Sequence, residues 1–175
     1  MITVESALAV LVPEAEALVA SDSAIYDPSA ARGMPAHITL LYPFVTPDSI
    51  DDGVLHRLRS CFVGFARFDF ALTVTRRFPD RALYLAIEPE EPFRRLTLAI
   101  WQAFPEHPPY GGRYPTIVPH LTIADRQQPS RLDEIDRDFD KASRGKLPIR
   151  AHAAEVTLLD TESGRWQRRA SFPLG

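Results

Sequence analysis

Two short stretches of this chain, Pro35-Ala36-His37-Ile38-Thr39-Leu40 and Val118-Pro119-His120-Leu121-Thr122-Ile123, carry the same pattern, His-x-Thr-x, 83 positions apart. In a strand successive side chains face opposite ways, so each stretch offers an imidazole and a hydroxyl on one face and branched aliphatics on the other. The turn at Pro79-Asp80, moved along by the same offset, falls on Glu162-Ser163, so both halves run strand, helix, hairpin. Two similar halves of one short chain pack most simply as two sheets about a pseudo-twofold axis, with the motifs facing each other. A length of 175 residues with 45% hydrophobic content is enough for one core, and residues 1–175 are expected to form a single bilobal domain.

The elements follow from periodicity and breakers. Ser6 to Val12 reads as a strand ending at Pro13, Glu14 to Ala20 as a helix, and the polar stretch Ser21 to Pro35 as a surface loop. Ala36 to Phe44 reads as a strand, with Pro47, Asp48 and Ser49 capping a helix through Leu55, Leu58 and Phe62. Strand-like runs follow at Phe68 to Thr75 and Ala82 to Ile87, then helical spacing from Pro92 to Phe104. Pro105 to Pro115 is a loop rich in Pro and Gly, leading to a strand from Thr116 to Ala124 and a helix from Ser130 to Ala142. That helix alternates charges around one apolar stripe of Leu132, Ile135 and Phe139, which describes a solvated face. Ile149 to Leu159 and Arg165 to Phe172 are the last strand-like runs.

Composition narrows the function. A formal net charge of −3 excludes coating duplex nucleic acid by bulk electrostatics, so a nucleic-acid ligand would sit in a local pocket. Cys61 stands alone, which excludes an intrachain disulfide and cysteine-based zinc knuckles and fits a reducing compartment. No run approaches the roughly 18 apolar residues of a membrane span, and Met1 to Leu11 lacks the basic opening of a signal peptide, with Glu5 in its place. A cytoplasmic protein without membrane contact, acting as a monomer, is expected. No Gly-rich phosphate loop is present, and Gly111-Gly112 alone indicates nothing.

The chemistry lies in the paired motifs. An unperturbed imidazole titrates near pH 6.5, so two of them across a cleft can divide the roles of acid and base. One takes the proton of an attacking nucleophile and the other protonates a leaving oxygen, while hydroxyls such as Thr39 and Thr122 donate to the non-bridging oxygens of a phosphate. That set suits phosphodiester chemistry without a metal, and no third and fourth ligand has suitable spacing for one. Tyr42 and Phe44 follow the first motif; Tyr42, and Tyr84 on the run Ala82 to Ile87, are candidates to stack on a nucleobase, with Phe44 assigned to packing. His56, His107 and His152 are expected to be solvated or locally bonded.

On these residues the chain resembles the two-histidine phosphoesterase superfamily, which includes RNA 2′,3′-cyclic phosphodiesterases and 2′-5′ RNA ligase-like proteins. The segment Gly33 to Phe44 is similar to bacterial members of the ligase-like group. The resemblance implies an α+β fold with two pseudo-twofold-related antiparallel sheets, flanking helices and a central cleft, and cleavage of cyclic phosphates with no cofactor and no metal. His37 and His120 match the catalytic pair, with His120 as base and His37 as acid, and Thr39 and Thr122 match the phosphate-binding hydroxyls. Many ligase-like members have Arg five positions after the second motif His; here that place is Asp125, with Arg126 one step later and able to reach the cleft mouth from the following loop. The implied substrate is an RNA end or a small nucleotide bearing a cyclic phosphate. Joining of 2′-5′ RNA ends, which Asp125 and the acidic balance disfavour, and binding of a phosphorylated ligand without turnover are the alternatives.

Overall fold

The structure, a computed structural model, describes residues 4–79 and 81–175. Strand β1 (Ser6–Leu11) leads through Pro13 into helix α1 (Pro13–Tyr26), one further helical turn α2 (Pro28–Ala31) and strand β2 (His37–Leu41). Helix α3 (Asp52–Phe62), strands β3 (Phe68–Phe78) and β4 (Ala82–Glu88) and helix α4 (Glu91–Ala103) complete the first half. Strand β5 (His120–Ala124), helix α5 (Pro129–Ser143) and strands β6 (Ile149–Ala153), β7 (Glu155–Asp160) and β8 (Gln167–Pro173) make the second. Asp80, expected to share a turn with Pro79, lies outside the described residues. Among the described residues no helix is long and apolar enough to cross a membrane.

The fold is α+β, with two four-stranded antiparallel sheets ordered β2-β1-β7-β8 and β5-β4-β3-β6. Its sheets are not the two halves of the sequence. The motif strand β2 shares a sheet with the hairpin β7–β8 of the second half, while β5 shares one with the hairpin β3–β4 of the first. The helices cross over in the same way, α1 packing on β5 and β6 and α4 on β2. Each half thus completes the other.

Three expectations need correction. The strand-like run Ile149 to Leu159 is two strands, because the chain passes from one sheet to the other at Ala154: β6 pairs with β3 from Phe68↔Ala153 to Leu72↔Ile149, and β7 pairs with β1 and β8. Ser21 to Pro35 is no simple loop either. Helix α1 continues into it as far as Tyr26, where the Ser23 hydroxyl donates to the Val19 carbonyl at 2.9 Å, and Asp27 then caps α2 by accepting from the Ser29 N–H at 2.9 Å. Local bonds satisfy the polar groups that suggested a breaker. The strand from Thr116 begins only at His120, since Pro115 and Pro119 have no N–H for a ladder.

The core lies between sheets and helices, and Phe62, Phe93, Phe104, Phe139 and Phe172 are all less than 2% exposed. Full burial of one such ring stabilises by about 1.5–3 kcal/mol. On α5 the buried residues Leu132, Ile135 and Phe139 form the expected stripe. Alternation along β1 sends Leu8 and Val10 into this core and Ala7 and Ala9 to the other face, into a smaller cluster with Met34, Leu159 and Trp166. Ala7, Met34 and Trp166 also line a cleft, and the small side chain of Ala7 helps leave it open.

Candidate active site

Both motif strands are edge strands, each with one ladder neighbour, and they pack against one another. On β2, His37 lies opposite Leu11 and Thr39 opposite Ala9; on β5, His120 lies opposite Ala86 and Thr122 opposite Tyr84. Ile38, Leu40, Leu121 and Ile123 are buried beneath them, while the two imidazoles and two hydroxyls are half-buried on the other face. All four of these polar side chains line a single cleft of about 530 Å³.

The two histidines are held identically. His37 Nδ1 is 2.8 Å from the Pro35 carbonyl and His120 Nδ1 is 2.8 Å from the Val118 carbonyl, two residues earlier in each case. A carbonyl only accepts, so each Nδ1 carries a hydrogen and each neutral ring keeps its lone pair on Nε2. Burial lowers both imidazoles below their usual range. Their surroundings then differ. At His37 the carbonyl bond and the Glu16 carboxylate oppose that shift. At His120 the carbonyl bond and Asp125 oppose it, but charge on His37 and on Arg81 adds to it. His120 is also boxed edge-to-face by Phe78 and Tyr84, at ring-centroid distances of 4.9 and 5.3 Å.

Of the other sequence candidates, Tyr42 and Arg126 line the cleft and Tyr84 does not. Tyr84 is 6% exposed and stacks on Phe78 at 4.5 Å, so its ring supports His120 from behind. The Tyr42 hydroxyl donates to Glu5, and burial together with that carboxylate pushes the phenol up to about 12. Glu5 also accepts from Arg32 at 2.5 Å, and the Arg32 guanidinium lies 5.7 Å from the centre of the Trp166 ring. Arg126 adopts a positive φ of 57° and leaves 71% of its side chain exposed. Phe44 packs edge-on to Phe104 and His107, and His152 bonds Asp69, all away from the cleft.

Sequence reasoning missed Arg81, Asp27 and Tyr110, which line the cleft as well. Tyr110 lies in the Pro/Gly-rich loop after α4. Its N–H donates to the Tyr42 carbonyl at 2.6 Å, and its phenol, beside Thr39, is pushed up to about 12 by burial. Three consecutive positive φ values, 52° at Tyr110, 63° at Gly111 and 74° at Gly112, turn the loop back over β2, and two of the three fall on glycine, which accepts them without strain. No register count finds Arg81: a bulge between Leu83 and Tyr84 moves the pairing to Leu83↔Ala124, and Arg81 and Asp125 lie just beyond the ends of β4 and β5.

The fold and cleft define a class: a two-sheet α+β protein whose duplicated His-x-Thr strands face each other across one cavity. The sequence profile of the 2′-5′ RNA ligase superfamily matches residues 6–165, and the chain belongs to that family of two-histidine phosphoesterases. Among solved structures it is similar to TT0787 of Thermus thermophilus, with 18% identity, a TM-score of 0.64 and 97% of each chain covered. It is also similar to E. coli LigT complexed with 3′-AMP, with 15% identity, a TM-score of 0.63 and 97% of each chain covered. A structure described as a phosphoesterase aligns with 16% identity and a TM-score of 0.60 over 98% of this chain and 99% of its own. No curated protein matches the chain in sequence.

Proposed function

We propose that this protein is a metal-independent phosphodiesterase that opens a 2′,3′-cyclic phosphate on an RNA end or a small nucleotide. One observation carries the reading: two imidazoles, each fixed through Nδ1 to a carbonyl two residues back, share a cleft with two hydroxyls placed two residues after them. His120, whose neighbours favour the neutral ring, takes a proton from water at Nε2 as the water oxygen bonds to phosphorus. His37, beside the Glu16 carboxylate, holds the proton that passes to the ribose oxygen as its bond to phosphorus breaks. Thr39 and Thr122 donate to the non-bridging oxygens as charge gathers on them. Nucleotide ligands are in keeping with this cleft, since LigT, which shares the fold, has been crystallised with 3′-AMP and with ATP.

The test is phosphorus NMR of the protein with a panel of 2′,3′-cyclic nucleotides in excess chelator, run beside His120→Ala. The expected result is opening to one monophosphate isomer by the wild type and its loss in the variant. Opening that persists in both His120→Ala and His37→Ala refutes the paired roles. Tight binding without turnover by the wild type, on cyclic nucleotides and on oligonucleotides with cyclic ends, would favour a binding module instead.

A further inference from the structure

At the β5 end of the cleft a guanidinium is held in place by more than one bond. Arg81, in the turn that enters β4, donates from Nε to Asp125 Oδ1 at 3.0 Å and from Nη2 to Oδ2 at 3.5 Å. The main chain fixes the same turn, because the Arg81 carbonyl accepts from the Gln127 N–H at 3.3 Å. Asp125 is anchored in turn, its N–H donating to the Tyr26 carbonyl at 2.9 Å. Of the five N–H donors of the rigid guanidinium fork, Asp125 engages two, and no other described residue takes the remaining three. The Arg81 side chain is 46% exposed and lines the cleft together with His120 and Thr122. Arg126 lines the same wall, its Nε 3.8 Å from Asp125 Oδ2. Among the described residues the remaining carboxylate of the lining, Asp27, is buried and occupied in capping α2.

Arg81 and Asp125 lie past the last pair of the ladder, Leu83↔Ala124, and Asp125 follows Thr122 by three residues, a backbone span of about 10 Å at roughly 3.3 Å per residue. In the proposed roles Thr39 and Thr122 are the donors to the reacting phosphate, which leaves this separately held cation for another one. An exposed ion pair of this kind often contributes nothing beyond about 0–1 kcal/mol of stability, yet here it fixes a cation with free donors inside the wall of a cavity.

We propose that Arg81, with Asp125 as its positioning residue and Arg126 beside it, forms a second anion subsite that takes a phosphate other than the reacting one. The proposal rests on the phosphodiesterase reading for the identity of the first phosphate. It makes the preferred substrate one with a further phosphate group, either the internal diester of an RNA end or the terminal phosphate of a nucleotide.

The test is calorimetric binding of adenosine 3′-monophosphate, adenosine 3′,5′-bisphosphate and the 3′-phosphorylated dinucleotide ApAp to the wild type, Arg81→Gln and Asp125→Asn. In the wild type at least one of the two extended ligands binds about tenfold more tightly than the monophosphate, as one added charge-assisted contact gives. In Arg81→Gln that ratio falls to within about twofold, and the dependence of log K on log salt for the extended ligand loses about one unit of slope. Asp125→Asn, which leaves the guanidinium present but unaimed, gives an intermediate ratio and serves as the second variant if Arg81→Gln does not fold. A gain with ApAp alone identifies an internal diester, and a gain with the bisphosphate alone a terminal phosphate. Equal affinity of all three ligands for the wild type, or a ratio unchanged in both variants, overturns the subsite. None of these readouts requires turnover: tighter binding of extended ligands by a protein that opens no cyclic phosphate removes the phosphodiesterase reading and leaves the subsite standing.

Discussion

Each motif histidine commits its Nδ1 to a carbonyl of its own strand, so whatever it does in the cleft it does through Nε2. Burial lowers both rings from their usual pKa, and two consequences follow with opposite readouts. In the proposed roles His120 must be neutral and His37 protonated, so kcat/KM falls on the acid side as His120 gains a proton and on the alkaline side as His37 loses one. With both groups pulled down, the maximum is expected on the acid side of pH 6.5 with a decline through pH 7 and 8; a maximum above about pH 7.5 would contradict the assignment. For stability, a histidine depressed in the folded state binds fewer protons there than in the unfolded chain, where it titrates near 6.5. Its contribution is present above that value and is lost as pH falls through the folded pKa. A His37→Gln, His120→Gln double variant is therefore expected to lose less Tm than the wild type between about pH 7 and pH 5 in thermal melts. Either single histidine replacement should lower kcat by about 10²–10⁴-fold with the far-UV spectrum unchanged. At this scale the sequence was most informative where a pattern repeated. His37, Thr39, His120 and Thr122 could be read from the duplicated motif, and Arg126 and Tyr42 from their places after it. Arg81 carries no motif, and its pairing with Asp125 lies past a bulge and past both strand ends, where no sequence pattern places it.

Elements were legible where periodicity and breakers agreed. The stripe on α5 and the helical spacing on α4 are where the apolar residues place them. Helix α1 runs past its expected end because Ser23 bonds back into its own helix, and a polar residue in sequence does not say where its hydroxyl will point. The division at Ala154 was hidden for a different reason. Neither Gly nor Pro interrupts Ile149 to Leu159, and a strand-like run that changes sheets looks the same as one that does not. Helix α3 shows the opposite case, a boundary set by one side chain. Asp51 accepts from the Val54 N–H at 2.8 Å and closes the first turn, while the expected cap residues form a separate 3₁₀ turn at Pro47–Ser49. Replacing Asp51 with Ala should cost about 0.5–2 kcal/mol in denaturant unfolding, with no change in KM, since Asp51 lies outside the cleft. A shift in KM without loss of stability would show that α3 reports on the site.

At the scale of the whole molecule the exchange of hairpins governs folding. Sheet β2-β1-β7-β8 lacks half its strands until the second half of the chain arrives, and β5 has no sheet to join without β3 and β4. The two lobes are therefore expected to unfold together, with one calorimetric transition whose van't Hoff and calorimetric enthalpies agree. A chain stopped just after α4, at Phe104, should show no cooperative melt, although it keeps one entire motif and every element from β1 to α4 intact in sequence. Two separate transitions, or a folded fragment ending at Phe104, would show that the lobes are independent. The repeat seen in the sequence foretold two related sheets but not their interleaving, because matched offsets say which segments are alike and nothing about which of them pair.

The same interleaving suits the molecule to use as a split reporter. Cut in the loop between α4 and β5, it yields two pieces that carry one motif histidine each, and neither piece can finish a sheet by itself. Any activity recovered from such a pair would measure how often the two pieces meet, so proteins fused to them could be scored for association by the turnover they restore.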